Sequence, residues 1–354
     1  MARCGSSRIA EELSAEIRAG NLRAGAALPS VDALRARFGV GEYAVRRAVK
    51  SLAAAGLVSV KRHVGAVVAA DSALSWRGRV AFVCMGWHGS YFQHVLSMMF
   101  AQILESAGWC CAQIFIDHAP DGKLDLSPLR RYLANGLDFV VGLFGERQIA
   151  EELDRAGVPY IVLNGFTRNF PNARAVIREE TRTCYEQLIA ELKRHGVRTV
   201  VEFDMSRSIE RDFKRQLFEA GIVVERVMCA WNNDLKWRLR DLRASGHATV
   251  AEYFAHERHR RRPPDVVLFD DDYLAEGGIA ALHEAGFAIP RDIGVVGYAN
   301  TGNESVYGFS LARIVNDPFS YAEKVARYVL GILDGKSVVP PRISRLFVPG
   351  DSIA

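Results

Sequence analysis

Seven short apolar runs alternate with amphipathic stretches through most of this chain, and that alternation constrains the fold more than any other feature. The runs are RVAFVCMG, CAQIFID, DFVVGLF, PYIVLNG, TVVEFD, DVVLFDD and IGVVGYAN, separated by stretches such as FQHVLSMMFAQILESAG and CYEQLIAELKRHG. Strands that are apolar on both faces belong to parallel sheets covered by helices on both sides, so the body of the chain is expected to be α/β. Residues 79–354 are long enough to form two lobes rather than one. No fixed-period repeat and no low-complexity tract interrupts them.

The first 70 residues follow a different pattern. They carry 11 Lys/Arg against 5 Asp/Glu, while the remainder carries 34 against 36, so the overall +4 charge is concentrated in a small basic head. Ile9, Leu13 and Ile17 recur every four residues and predict a first helix ended near Gly20. Ser30 is placed to cap a second helix with Val31, Leu34 and Phe38 on one face, closed by Gly39. In FGVGEYAVRRAVKSL, Val45, Ala48, Val49 and Leu52 form the buried stripe of a third helix, and Tyr43, Arg46, Arg47 and Lys50 form the opposite face. LVSVKRHVGAVV alternates around a glycine and predicts a hairpin with Lys61, Arg62 and His63 at its tip. Three helices and a basic-tipped hairpin make a winged helix-turn-helix, whose last helix enters the major groove of double-stranded DNA.

The stretch ALPSVDALRARFGVGEYAVRRAVKSLAAAGLVSV resembles the DNA-binding domain of GntR-type bacterial transcription regulators. The expected DNA-contacting residues are Ser30, Glu42, Tyr43, Arg46, Arg47, Lys50, Lys61, Arg62 and His63. Several positions depart from the pattern of that family. Gly41, Glu42 and Ala44 stand where Ser or Thr, Arg, and Thr are usual, Asp32 stands where relatives carry arginine, and His63 replaces a glycine. Glu42 has two readings. It faces the positive end of the helix dipole, worth about 0.3–1 kcal/mol, or it accepts a hydrogen bond from cytosine N4, worth about 1–3 kcal/mol of base discrimination.

PPDVVLFDDDYLAEGGIAALHEAGFAIPRDIGVVGYAN is similar to the signature of LacI-type, sugar-responsive regulators, whose effector domains resemble periplasmic sugar-binding proteins. The expected organisation is a winged helix-turn-helix at 1–69, a short, polar, weakly patterned linker at 70–78 and, as this resemblance implies, an effector domain at 79–354. The resemblance implies one lobe of about 79–163 and 312–335, and a second of about 164–311 and 336–354. Ligands of parallel α/β sheets bind beyond the carboxyl ends of strands, where this sequence places polar and aromatic residues. Aromatic rings cover the C–H faces of a sugar while carboxylates and amides meet its hydroxyls. The candidate ligand residues are Trp87, His88, Tyr91, Phe92, Asn164, Asp204, Arg207, Trp231, Asp271 and Asn300. Asn164, Trp231, Asp271 and the Ala299-Asn300 pair fall where the family places effector contacts, and the arginine position is open to Arg207 or Arg211, while alignment on Phe213 puts Ile209 there. The usual acidic pair after GY is Ala299-Asn300 here, so the ligand need not be an ordinary pentose or hexose. Asp272 is assigned mainly to capping the helix that follows it.

Enzyme classes find no support in the motifs, since GxSxG, GxxxxGK[ST] and GxGxxG are all missing. The six cysteines have no zinc-ligand spacing, and the spacing of His256 and His259 lacks a third ligand, so no metal and no cofactor are expected. No apolar run approaches the roughly 20 residues needed to cross a membrane, and a cytoplasmic location is expected. The expected function is a DNA-binding repressor acting as a homodimer and controlled by a small-molecule effector, a carbohydrate, between two lobes. The alternative is a cytoplasmic ligand sensor acting through protein partners after loss of operator binding.

Overall fold

A computed structural model describes residues 5–18, 21–61, 65–69, 76–85, 90–119, 122–205, 211–229 and 238–354. The chain packs as two compact units, one of Met1–Ala81, Ala101–Ala112 and Leu133–Phe139, the other of Phe82–Phe100, Gln113–Tyr132 and Val140–Ala354. Each is taken separately.

The first unit holds α1 (Gly5–Arg18), α2 (Val31–Phe38), α3 (Glu42–Ala54), β1 (Val58–Lys61) and β2 (Gly65–Val68). The periodic residues do what their spacing predicts. Ile9, Leu13 and Ile17 of α1 meet Leu34 and Phe38 of α2 and Val45, Ala48 and Leu52 of α3 in one core, which Leu57, Val58 and Val68 close from the hairpin. Val49 is only half-buried. Ser30 Oγ accepts the Ala33 N–H at 3.1 Å, and Gly39 ends α2 with φ 65°, a left-handed turn that glycine adopts without a Cβ penalty. β1 and β2 pair antiparallel from Val58↔Val68 to Lys61↔Gly65. An ion pair from Arg37 to Glu16 joins α2 to α1. It holds the Glu16 carboxyl below its usual range through the guanidinium hydrogen bond.

The strands continue with β3 (Arg79–Met85), β4 (Cys110–Ile116), β5 (Phe139–Leu143), β6 (Tyr160–Leu163) and β7 (Ala175–Ile177), joined in a five-stranded sheet of order β4-β3-β5-β6-β7. Between them run α4 (Tyr91–Ser106), α5 (Ser127–Ala134) and α6 (Arg147–Ala156). The six-stranded sheet of the second unit uses β9 (Thr199–Asp204), β10 (Val223–Met228), β11 (Val266–Phe269), β12 (Gly294–Asn300), β13 (Ala312–Asn316) and β15 (Leu346–Val348). Its order is β10-β9-β11-β12-β13-β15, parallel except for the last strand. β8 (Glu179–Glu180) and β14 (Ile343–Ser344) form a separate parallel pair. The remaining helices are α7 (Arg182–Arg194), α8 (Arg211–Glu219), α9 (Arg238–Ala255), α10 (Glu257–Arg261), α11 (Asp272–Glu284) and α12 (Pro318–Leu333).

β11 and β12 are apolar on both faces because both are covered, and Val266 through Phe269 are all buried. Two clusters line the faces of the six-stranded sheet. One is built on Phe203, Phe254 and Phe269 with α9 and α11, the other on Leu188, Phe213 and Leu217 with α7 and α8. Helices α9 and α11 lie backbone to backbone, because Gly246 and Gly277 leave no room for a side chain against Leu274 and Arg243. That close approach fixes the start of α11, where the acidic run Asp270–Asp272 sits.

Strand pairing moves two of the expected lobe edges. β7 pairs with β6 in the five-stranded sheet, so the first segment of that lobe extends past 163. β13 pairs with β12 in the six-stranded sheet, so residues 312–316 belong with the opposite lobe from the one expected. Both shifts have one cause: an apolar run at a crossing reads as strand whichever sheet accepts it.

Candidate functional site

The exposed face of α3 carries Glu42, Tyr43, Arg46, Arg47 and Lys50, at the positions left over once Val45, Ala48 and Leu52 turn inward. Tyr43 is 79% exposed, far more than an aromatic ring recruited to packing. Gly41 precedes the helix with no side chain to cap it. Glu42 instead accepts from Arg46, with Nε at 2.7 Å and Nη2 at 2.6 Å of the same oxygen. An exposed i,i+4 pair of this kind contributes about 0.3–0.5 kcal/mol, so contact with DNA can break it at little cost. Ser30 is exposed and caps α2, and that hydrogen bond leaves its oxygen a further lone pair. The Lys61 side chain, Arg62 and His63 lie outside the described residues.

The second site is a cleft of about 460 Å³ in the larger unit. Leu143, Asn164, Asp270, Asn300 and Asn316 reach it from the carboxyl ends of β5, β6, β11, β12 and β13. Ser90, Phe92 and Gln93 enter from the start of α4, and Glu179, Tyr185, Phe213 and Arg345 complete the wall. Four of the expected ligand residues therefore share one cavity: Phe92, Asn164, Asp271 and Asn300. Phe92 leans edge-on against Tyr321 at 5.8 Å. Asn164 has φ 58°, which asparagine tolerates better than most residues, and donates Nδ2 to Glu179 Oε1 at 3.0 Å.

Two expected residues fall elsewhere. Asp204 is 0% exposed and pairs with Arg226 of β10, a lateral partner that apolar periodicity does not reveal. Tyr91 is half-buried, with its N–H donating to the Tyr273 hydroxyl at 3.2 Å and its own hydroxyl donating to the Thr301 carbonyl at 3.3 Å. Trp87, His88, Arg207 and Trp231 lie outside the described residues, as does the Arg211 side chain.

The helix cap also shifts by one position. Asp271, not Asp272, is the N-cap of α11, and its Oδ1 accepts the N–H groups of Tyr273 at 2.8 Å and Leu274 at 3.2 Å. Asp272 begins the helix itself and accepts Asn300 Nδ2 at 2.9 Å. Three successive aspartates permit either register, and only the backbone decides between them. All three line the cleft, as does Glu202 of β9. Burial pushes the Asp270 and Asp271 carboxyls up to about 7, each reinforced by the next aspartate in the run. Burial raises Asp272 and Glu202 as well.

Residues that the sequence did not single out complete the cleft. Tyr185 stacks on Phe213 with centroids 4.1 Å apart and meets the Tyr298 hydroxyl at 3.2 Å. The Arg345 guanidinium lies 5.5 Å from the Tyr298 ring centroid and pairs with Glu179. Burial opposes the Arg345 charge, but Glu179, Tyr298 and Tyr185 outweigh it and hold the pKa above its ordinary value. Four buried oxygens lining the cleft have no hydrogen-bond partner: Gln93 Oε1, Asp270 Oδ1, Asn300 Oδ1 and Asn316 Oδ1. Buried acceptors are ordinarily paired, so these four are free to accept from water or from a polar guest.

Residues 6–68 match the bacterial regulatory proteins of the gntR family, and residues 189–353 match the periplasmic binding protein-like domain. The two matches fall on separate stretches, a gntR-family region near the start and a periplasmic-binding-protein-like region beyond it. No curated protein matches it. Among solved structures, a LacI family regulator from Arthrobacter sp. FB24 in complex with lactose has a TM-score of 0.63 at 16% identity, over 78% of this chain and 100% of that one. The Escherichia coli transcriptional repressor ascG gives 0.58 at 18% identity, over 78% and 100%. The lac repressor dimer bound to operator and the anti-inducer ONPF gives 0.63 at 15%, over 78% and 93%. Residues 6–68 thus match a bacterial regulatory DNA-binding family, and the larger body shares its fold with these regulators. Among the described residues no helix is long and apolar enough to cross a membrane, and no three His, Cys, Asp or Glu side chains gather as metal ligands.

Proposed function

We propose that this regulator is a repressor that binds its operator as a homodimer and answers to a carbohydrate held in the cleft. The observation that carries the reading is the pairing of an aromatic wall, Tyr185, Phe213 and Tyr298, with four unpartnered buried oxygens around one cavity. Rings cover the apolar faces of a sugar and the acceptors take its hydroxyl protons. The relatives solved with lactose, and as a dimer on operator, support extending carbohydrate binding and dimerisation to this chain. A ligand that binds one shape of the effector body better than another shifts the population toward that shape. In a dimer whose heads are tethered to such bodies, the shift changes how well two recognition helices fit half-sites one helical turn apart.

A gel-shift titration over the upstream region of the regulator's own gene, with and without sugars, tests this reading. Salt-sensitive retention that a sugar alters is the expected result, and no DNA binding at any salt concentration would end it. The ion pair between Glu42 and Arg46 favours a second reading, a sensor working through protein partners, because it turns an operator-facing arginine onto a carboxylate. Replacing Arg46 and Arg47 together by Ala separates the two, since only a DNA-binding regulator loses operator retention.

A further inference from the structure

We infer that the effector carries a positive charge, and that it is a carbohydrate bearing a free ammonium group rather than a neutral sugar. The inference rests on the carbohydrate reading and adds charge to it. Among the described residues, the cleft is lined by five carboxylates, Glu179, Glu202, Asp270, Asp271 and Asp272, against the single guanidinium of Arg345. Arg345 is already committed to Glu179. Among the described residues the other four acids have no cation in the cleft wall.

Among the described residues three cations act on this group from outside the lining, one of them Arg243, which pairs with Glu276 and reaches Asp272. Arg226, which pairs with Asp204, reaches Glu202 and Asp270 electrostatically, and Lys214 reaches Glu202. They do not offset the burial, since the carboxyls of Glu202 and Asp270 are both pushed up. Closing such a cleft over a neutral guest strips water from four acids and returns only hydroxyl hydrogen bonds, an expensive exchange unless the acids take up protons. An ammonium group supplies both charge and three donors.

The unpartnered atoms add a demand for donors, which an ammonium group meets along with the hydroxyls of the ring. Asn300 is 6% exposed, gives its Nδ2 to Asp272, and has no partner for Oδ1. Asp270 Oδ1 is buried and equally without a donor. Among the described residues the orphan atoms in this wall are all oxygens, which suit a guest rich in donors. The aromatic wall beside them suits the C–H face of a sugar ring and also an adjacent cation.

Calorimetric titration of the full-length protein with matched sugars tests the inference: glucosamine, galactosamine and mannosamine, each against its neutral parent and its N-acetyl derivative, with putrescine as an amine without a ring. At least one amino sugar should bind about tenfold or more tightly than both its parent and its N-acetyl form. Asp270→Asn should lower the ratio of amino-sugar affinity to parent affinity, and an unchanged ratio would overturn the charge. A neutral parent that binds as well as its amino sugar overturns the charge and leaves the carbohydrate reading standing. Putrescine binding as tightly as the best amino sugar removes the carbohydrate reading and keeps the charge. Absence of heat from every member of the panel overturns both.

Discussion

The outer face of α3 and the wall of the cleft solve opposite problems with the same residue types. On α3, Arg46 and Glu42 meet in open solvent, where a pair is worth a few tenths of a kcal/mol and yields readily to a phosphate or a base. In the cleft, Arg345 and Glu179 meet with side chains largely withdrawn from water, where neither can lose its partner cheaply. The same guanidinium–carboxylate contact is thus a reversible surface latch in one region and a fixed part of the wall in the other. Burial, not residue identity, sets the difference, and each variant below breaks or sharpens it.

Arg345→Met should have the largest effect. It leaves the Glu179 carboxylate buried without its cation, at a cost of about 3–5 kcal/mol, read as a fall in thermal midpoint and a loss of effector binding. Removing both partners with Glu179→Gln in the same chain should recover much of that loss. No recovery would mean that Arg345 acts by its packing on Tyr298 rather than by its charge.

Arg46→Ala with Arg47→Ala comes next. Loss of two groups from the groove-facing side of α3 should cost about 2–4 kcal/mol of operator affinity by fluorescence anisotropy and lower the salt slope. Both side chains are exposed, so the thermal midpoint should stay where it is. A midpoint that drops with the affinity would show that this face belongs to the fold as well.

The contrast between the two regions also explains what the sequence could reveal. The head was legible because its information is local: an every-fourth-residue apolar stripe, a capping Ser30 and a left-handed Gly39 specify three helices, and the exposed face follows by subtraction. The β/α alternation was legible for the same reason. The cleft is assembled from residues as far apart as Ser90 and Arg345, and no periodicity connects them. Strand-end inspection found Phe92, Asn164, Asp271 and Asn300 because they follow apolar runs. It passed over Glu179 and Arg345, which lie on or beside the short paired crossings, and it named Asp204, which the structure buries against Arg226 of a neighbouring strand and not in the cleft lining.

Protonation distinguishes the two regions on a smaller scale. Asp270 and Asp271 have folded pKa values near 7, raised by burial above the ordinary aspartate value that an unfolded chain shows. The folded state therefore holds extra protons between about pH 4 and pH 7, and their stabilising contribution is lost as pH rises through about 7. Asp270 is faced by Asp271, by Glu202 of β9 and by Arg226 of β10, and Asp271 by Asp272 and Glu276 of α11. Asp270→Asn removes one titrating member, so it should be more stable than the wild type by about 1–3 kcal/mol at pH 8 and lose that advantage toward pH 5. Parallel thermal midpoints from pH 5 to pH 8 would mean that the acidic run is solvated and titrates normally.

Glu42→Gln should have the smallest effect and bears most directly on the surface latch. Glutamine keeps the size and the hydrogen-bonding reach but drops the charge, so the latch on Arg46 weakens by about 0.3–0.5 kcal/mol. Three outcomes separate its possible roles when affinity is measured across operators varied one base pair at a time. A gain that is equal for every sequence means that the carboxylate only competed with DNA for Arg46 or repelled the backbone. A preference relaxed by about 1 kcal/mol or more at a single base pair means that Glu42 accepts from cytosine in the groove. No change in affinity, with a small fall in helix stability, leaves the helix dipole as its partner. Because the ion pair is exposed, all three outcomes should appear without a change in effector affinity. That independence sets Glu42 apart from Glu179, the same side chain placed where water is scarce.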